Sequence, residues 1–556
     1  MRARLFAIIV VLLPIVLTGC SHTTNLALCD PGTPDGASQP CSWKPEGGFR
    51  FDPSKTARKT LVVVTFSGGG IRASALAYGT LLALKELPAA DGQGRLLDDV
   101  DIISSVSGGS VTAGWYALNG GDALVDDPTK NALLRFLRQG ATASIAWAGL
   151  NPLALGSYLV TPRQRIDVLA DYFADNIYGQ ARYRDVEARY RSPTQPFVIL
   201  NASDVGNETG FAFTQGRFDL LCSDLASYRL ADAVAASADF PIVFSATGLR
   251  NYSDDCRARG PAWTVFGAPQ WLKYEAAYEG SEPAGTDTRT LRSNGLLQIR
   301  AARQALDYLN DGRDPSRGPS DRFLHLLDGG LVDNLGVLST FAIEDDPACA
   351  PGLFQRLAPP RPPAYQKYDQ ILYIVVNART RSPAGIDRDE YPPDEFSTLL
   401  RVIDTPLDST ILSMQNYLTA DLQAILYRKQ TLQFEVPSPR KTCWMDRGRP
   451  IGRTSNRAVA GPVADDPSNP VRRPLIVSLD FELIPDKRCR DSYWQLGTNW
   501  TLDRPTIDAL IKLPSVMLRR SGELKDFYRS MGRLAPDLSS FPADFKEVCD
   551  AVEKGT

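Results

Sequence analysis

Residues 61–87 read LVVVTFSGGGIRASALAYGTLLALKEL, and residues 101–119 read DIISSVSGGSVTAGWYALN. The first six positions are an apolar, valine-rich run closed by turn residues, which is the pattern of a buried strand. The run stops at Ser67-Gly68-Gly69-Gly70, and helical spacing follows over 73–87. A second short strand over 101–106 stops at Ser107-Gly108-Gly109, where another helix starts. Strand, helix, strand and helix in this order imply a right-handed crossover. The two strands are then parallel neighbours, and both glycine turns lie at one edge of the sheet.

Ser105-Val106-Ser107-Gly108-Gly109 has the spacing of a G-x-S-x-G nucleophile elbow, with serine in place of the first glycine. The sharp turn needs small residues around the nucleophile, which Ser105 and Gly109 supply. The backbone N–H groups of Gly68, Gly69 and Gly70 have no side chains in the way. They are expected to form an oxyanion hole, with Arg72 orienting their loop. Both helix starts add positive dipole ends. Taken singly, each motif reads as an ordinary turn; two of them, each between a buried strand and a helix, are far more specific. No Gly-Lys-Ser/Thr follows the glycine triplet, which argues against a phosphate loop.

The chain holds two histidines, His22 and His325. His22 adjoins the processing site described below. His325 lies in the apolar run FLHLLDGG (residues 323–330) and is expected to be a core residue. Asp328, at the end of that strand, is the better base for Ser107. His325 and Asp328 are three positions apart on the strand and so face opposite sides.

Three blocks in this order, Ser67-Gly68-Gly69-Gly70-Ile71-Arg72, Ser105-Val106-Ser107-Gly108-Gly109 and Asp328-Gly329-Gly330, resemble the patatin-like phospholipases. A fourth block, LADAVAASADFP (residues 230–241), resembles the family's helix and Ser-Ala-x-Phe-Pro turn. The resemblance covers roughly residues 60–376. It implies a three-layer α/β/α fold with a mainly parallel central sheet, and a Ser107–Asp328 dyad that needs no histidine. It also implies hydrolysis of acyl esters of membrane lipids or lysolipids, with no metal and no cofactor. Ser105 departs from the family's elbow and bears on its turn geometry. The alternatives are acyl transfer or thioesterase chemistry with the same dyad, and a lipid-binding protein of this fold without turnover.

The N-terminus reads as a processing signal. Arg2 and Arg4 precede a short apolar run that ends in Leu17-Thr18-Gly19-Cys20, a sequence similar to a lipoprotein cleavage box. Cys20 is therefore expected to carry lipid and to anchor the mature chain in a bacterial cell envelope. By analogy, Ser21 points to the periplasmic side of the outer membrane in a Gram-negative cell. Residues 20–59, rich in Pro, Gly, Ser and Thr, read as a tether that lets the catalytic domain stand off the membrane. Residues 60–380 read as the catalytic domain, with an insertion over about 252–320, and residues 381–556 as C-terminal elements packed on it. Of two apolar segments, 145–160 and 262–278, at least one is expected to line or cap an acyl pocket, with Trp147 and Trp271 as their markers.

Eight cysteines besides Cys20 fit disulfides in an exported chain. Proximity in sequence suggests Cys29–Cys41, Cys222–Cys256 and Cys443–Cys489, leaving Cys349–Cys549. No Cys/His cluster has zinc spacing. The formal net charge is −3, from 61 basic and 64 acidic residues, with no dense basic stripe, so nucleic acid is not an expected partner.

Overall fold

The structure, a computed structural model, describes residues 23–28, 48–52, 55, 57–139, 164–240, 245–252, 322–341, 370–380, 475–498 and 500–555. Its centre is an eight-stranded sheet. The strands are β1 (Thr60–Phe66), β2 (Ile102–Val106), β3 (Phe197–Asp204), β4 (Thr209–Ala212), β5 (Thr247–Arg250), β6 (Phe323–Asp328), β7 (Gln370–Asn377) and β8 (Leu475–Asp480). They lie in the order β5-β6-β3-β2-β1-β7-β8, with β4 paired to β3 off this path. Strands β3, β2, β1, β7 and β8 are parallel. β4 and β6 run antiparallel to β3, and β5 runs antiparallel to β6. This mainly parallel α/β sheet is the architecture expected from the sequence.

The apolar runs are explained by where they sit. β1 and β7 are buried at every position because helices cover both faces of the central strands. The helix Gly70–Glu86 is separated from β1 only by Ser67, Gly68 and Gly69, and begins three residues earlier than its spacing indicates. It packs against the C-terminal helix Arg504–Arg520 so closely that a Cβ on Gly79 would stand 2.0 Å from the Ile511 carbonyl oxygen. Residues more than four hundred positions apart therefore share one core. β8 pairs with β7, and Tyr528 donates its hydroxyl to the Pro88 carbonyl at 2.6 Å.

Several expectations are corrected here. Cys489 is bonded to Cys549, so the pairs Cys443–Cys489 and Cys349–Cys549 do not form. The helix Lys487–Trp494 carries Cys489 and packs against the helix Lys546–Gly555, which carries Cys549. That packing sets the pairing, and nearness in sequence does not. Cys222 is disulfide-bonded. The pairings proposed for Cys29, Cys41 and Cys256 lie outside the described residues.

Residues 20–59 do not form a free tether throughout. Residues 23–28 lie along β5, and Phe49 and Phe51 are buried in the core. The Phe49 ring packs on Phe197 at the start of β3, with 4.6 Å between centroids. Apolar aromatics dock because burying each removes a large apolar area from water. His325 is exposed on the outer face of β6, not a core residue. The processing signal with Cys20, the segments 145–160 and 262–278, and all of 381–474 lie outside the described residues.

Candidate active site

Both glycine turns and the end of β6 meet at one rim of the sheet. Ser107 follows β2 directly and caps the helix Gly108–Asn119, with φ 50° and ψ −122°. A serine in this positive-φ region is strained by roughly 1–3 kcal/mol, so its surroundings must hold it. Close packing around it explains the glycines. A Cβ on Gly108 would stand 1.9 Å from the Gly70 carbonyl oxygen, and one on Gly109 would stand 2.7 Å from the Ser67 carbonyl oxygen. A Cβ on Gly68 would stand 3.3 Å from Ser107 Cβ, so the glycine triplet lies against the serine.

The triplet itself divides. Gly68 donates its N–H to the Asn334 carbonyl at 3.1 Å, and Asn334 Oδ1 lies 3.2 Å from the same nitrogen. Gly68 is therefore not a free oxyanion donor, which corrects the three-donor expectation. No described residue accepts from the N–H groups of Gly69 or Gly70, the second of which opens a helix. Gly69 has φ 137°, and a Cβ there would meet the Arg72 guanidinium at 3.1 Å. Arg72 is buried beneath this loop. Its Nε donates to the Ala378 carbonyl at 2.8 Å and one terminal nitrogen donates to the Leu496 carbonyl at 3.0 Å.

Asp328 closes β6. Its Oδ1 accepts the Gly330 N–H at 2.8 Å, and its carboxyl lies within hydrogen-bonding reach of the Ser107 side chain. Burial pushes its pKa up to about 6, against the pull of the Ser107 and Gly330 hydrogen bonds. A buried serine and a buried carboxyl, both at strand ends and beside two backbone donors, form an arrangement suited to acyl transfer.

A family model described as patatin-like phospholipase matches residues 64–341, half of the chain. The chain belongs to the patatin-like phospholipase family. No curated protein matches it. Among solved structures it is similar to human GIVD cytosolic phospholipase A2, at 17% identity over 56% of this chain and 45% of that one, with a TM-score of 0.28. A second structure is of the same human protein in complex with methyl gamma-linolenyl fluorophosphonate inhibitor and terbium chloride. There the identity is 15% over 89% of this chain and 60% of that one, with a TM-score of 0.33. The chain thus spans less than two thirds of either human structure. At such scores the likeness carries no argument, and membership rests on the family match.

The patatin-like elbow with serine at position 105 has its own support. Ser107 donates its N–H to Ser237 Oγ at 3.0 Å. Ser237 Oγ donates its single proton to the Asn201 carbonyl at 2.6 Å. Ser110 Oγ, 2.8 Å from Ser237, must therefore donate to it. Ser105 Oγ lies 3.0 Å from Ser110 Oγ and donates to the Ile199 carbonyl at 3.1 Å. With both of those protons spent, no hydrogen bond joins Ser105 to Ser110: Ser105 is satisfied on β3, and the hydroxyl relay beneath the Ser107 turn runs from Ser110 through Ser237. All four serines are buried, so deleting one link leaves a desolvated partner.

Three residues were missed from sequence. Ser237 and Asp239 sit inside the quoted block 230–241, but nothing local assigns them a partner. Asp239 accepts the Asp328 N–H on its carbonyl at 2.9 Å, which fixes the end of β6. Burial and then the neighbouring Asp328 push its own carboxyl well above the usual carboxylate range. Asn334 follows the Asp-Gly-Gly turn by four residues, and that spacing was its one available signal.

Ser237→Ala is expected to lower kcat about tenfold with KM nearly unchanged, because the Ser107 N–H loses its buried acceptor and the turn relaxes. Ser237→Thr keeps the hydroxyl and should recover much of the loss. Equal loss in the two variants would mean that packing, not the hydroxyl, matters at this position.

Proposed function

We propose that this protein is a membrane-anchored serine hydrolase of lipid acyl esters. The observation that carries the reading is the buried Asp328 carboxyl within reach of Ser107, beside the two backbone N–H groups of Gly69 and Gly70. In this mechanism Ser107 Oγ attacks the ester carbonyl while Asp328 takes its proton. The carbonyl oxygen, now negative, is held by the Gly69 and Gly70 N–H groups. Collapse of the tetrahedral species expels the alcohol, which receives the proton from Asp328. Water then attacks the acyl-serine by the same route and frees the fatty acid. The chemistry requires neither metal nor cofactor. An ordinary aspartate, with a pKa near 3.9, is a weak base. Burial brings Asp328 closer to working pH, where proton transfer from serine costs less.

The pH dependence follows from the same shift. Asp328 must be ionised to accept the proton, so kcat/KM should fall tenfold per pH unit below about 6 and level off above it. Asp333 is also raised to about 6 by burial, but its carboxyl accepts the Leu335 and Leu338 N–H groups. Its titration should therefore appear in thermal stability, and Asp333→Asn should leave the position of the activity limb unchanged. An acid limb near pH 4 would contradict the assignment of Asp328 as a base held in a desolvated site.

Anchoring is proposed to come from lipid on Cys20, which places the enzyme in the cell envelope. Two acyl chains or more make such an anchor stable. The deciding experiment is a fluorophosphonate probe together with fatty-acid release from phospholipid and lysophospholipid. Wild type should be labelled and active, and Ser107→Ala neither. Labelling of Ser107→Ala at the wild-type rate would end this reading.

A further inference from the structure

Residues 23–28 form a strap along the edge of β5 that does not pair with β6. Thr23 bridges Gly248 in parallel, and Thr24 donates its N–H to the Gly248 carbonyl at 3.3 Å. Asn25, 2% exposed, pins the strap. Its side chain donates to Ser223 Oγ at 2.9 Å and to the Arg250 carbonyl at 2.9 Å, and accepts the Arg250 N–H at 2.8 Å. Asp224 donates its N–H to the Leu26 carbonyl at 2.9 Å, and Leu28 donates its N–H to the Cys222 carbonyl at 2.8 Å. An amide side chain here satisfies backbone groups that an open sheet edge would leave unpaired.

The strap lies at the rim that carries Ser107. β2 and β3 are parallel, so their C-terminal ends share one rim, and Ser107 follows β2 there. β6 enters from beyond that rim at Phe323 and runs inward to Asp328, opposite Ala202. β5 runs alongside it from Thr247, opposite Leu326, outward to Arg250. The strap is thus two strand spacings from β6, about 10 Å across the sheet. Three peptide units separate Cys20 from Thr23, a span of at most about 10 Å.

Exposed apolar side chains gather at the same end. Leu26 on the strap is 59% exposed, Val205 just past β3 is 47%, Phe323 at the start of β6 is 50% and Leu331 just past Asp328 is 36%. These are four of the six large hydrophobic residues exposed among the described residues. Water-facing apolar side chains collected around an anchor point favour a lipid surface over open solvent.

We propose that this strap orients the enzyme on the bilayer, holding the Ser107 rim against the membrane surface. The proposal rests on lipidation at Cys20. It replaces the free tether expected from composition with a short, docked leash. Its value to the enzyme is geometric: a rim kept at the interface meets lipid at a high effective concentration, which a long flexible spacer dilutes.

The test uses the full lipidated chain on vesicles of phosphatidylethanolamine and phosphatidylglycerol. A Gly/Ser spacer of about 20 residues is inserted between His22 and Thr23, and in a second protein between Asp35 and Gly36. The first insertion should leave membrane fractionation and hydrolysis of soluble p-nitrophenyl butyrate unchanged, and should lower turnover of vesicle phospholipid at least fivefold. The second keeps Cys20 next to the strap and should leave all three unchanged. Equal vesicle turnover in the two insertion variants would overturn the orienting role while leaving the dyad and the anchor untouched. Membrane attachment that survives Cys20→Ser would remove the anchor reading, and this proposal with it.

Discussion

Asp328→Asn is expected to lower kcat on both a soluble ester and a phospholipid by about a thousandfold or more, with the fold intact. The substitution preserves shape. The amide oxygen can still accept the Gly330 N–H that orients Asp328 Oδ1 at 2.8 Å. The amide NH₂ then faces Ser107, where a donor meets a donor and no group takes the serine proton. Ser107→Ala should be equally disabled, and the double variant no worse than either single, because the two groups act in one step. His325→Gln should stay within about twofold of wild type, since that side chain is exposed on the outer face of β6.

Stability should move the other way. The folded carboxyl titrates near 6 and the unfolded one near 3.9, so between those values the folded state holds the extra proton. Stability contributed by this group therefore falls as pH rises through that window, and at neutral pH the buried charge costs up to about 3 kcal/mol. Asparagine removes that cost, so Asp328→Asn should melt at the wild-type temperature or above it. Kinetics on both substrates with thermal melts at pH 5 and 8 checks the pair of effects. Retention of more than a tenth of wild-type kcat, or a larger loss in His325→Gln, would remove Asp328 as the base.

Gly108→Ala should be the most damaging single methyl group at this site. Its Cβ would stand 1.9 Å from the Gly70 carbonyl oxygen, 2.7 Å from its carbonyl carbon and 2.8 Å from its nitrogen. All three atoms are backbone, so no side chain can swing aside. The Ser107 turn and the glycine loop must separate, and the Gly70 nitrogen is one of the two proposed oxyanion donors. Losing one such donor costs about a hundredfold or more in rate, and the strain adds roughly 1–3 kcal/mol of destabilisation. Gly210→Ala is the matched control, because nothing lies within 4 Å of its Cβ position. It should change stability by no more than about 0.5 kcal/mol. Rate constants and denaturant midpoints decide the matter; a Gly108→Ala protein with more than half of wild-type turnover would show that the two turns are not held in register.

Sequence alone determined the centre of this molecule. The valine run 61–66, the glycine stop and the second strand gave β1, β2 and their parallel pairing, because strand period, turn chemistry and crossover handedness act over tens of residues. Both strand-end turns and Asp328 were legible for the same reason. The run 370–377 was equally readable as a buried strand, and it is β7.

What the tertiary structure alone decided involves partners far apart in the chain. Gly68 is engaged by Asn334 across 266 positions, and Ser107 by Ser237 across 130. No local pattern encodes such a contact, since packing creates it after the elements exist. The Cys489–Cys549 pair follows two packed helices, across 60 positions. The strap at 23–28 reads as tether because it lies within 20–59, whose glycine, proline, serine and threonine report only that a segment lacks a core of its own. Whether such a segment docks depends on an unpaired strand edge supplied from elsewhere, and here β5 supplies it some 220 residues later, with Asn25 completing its hydrogen bonds.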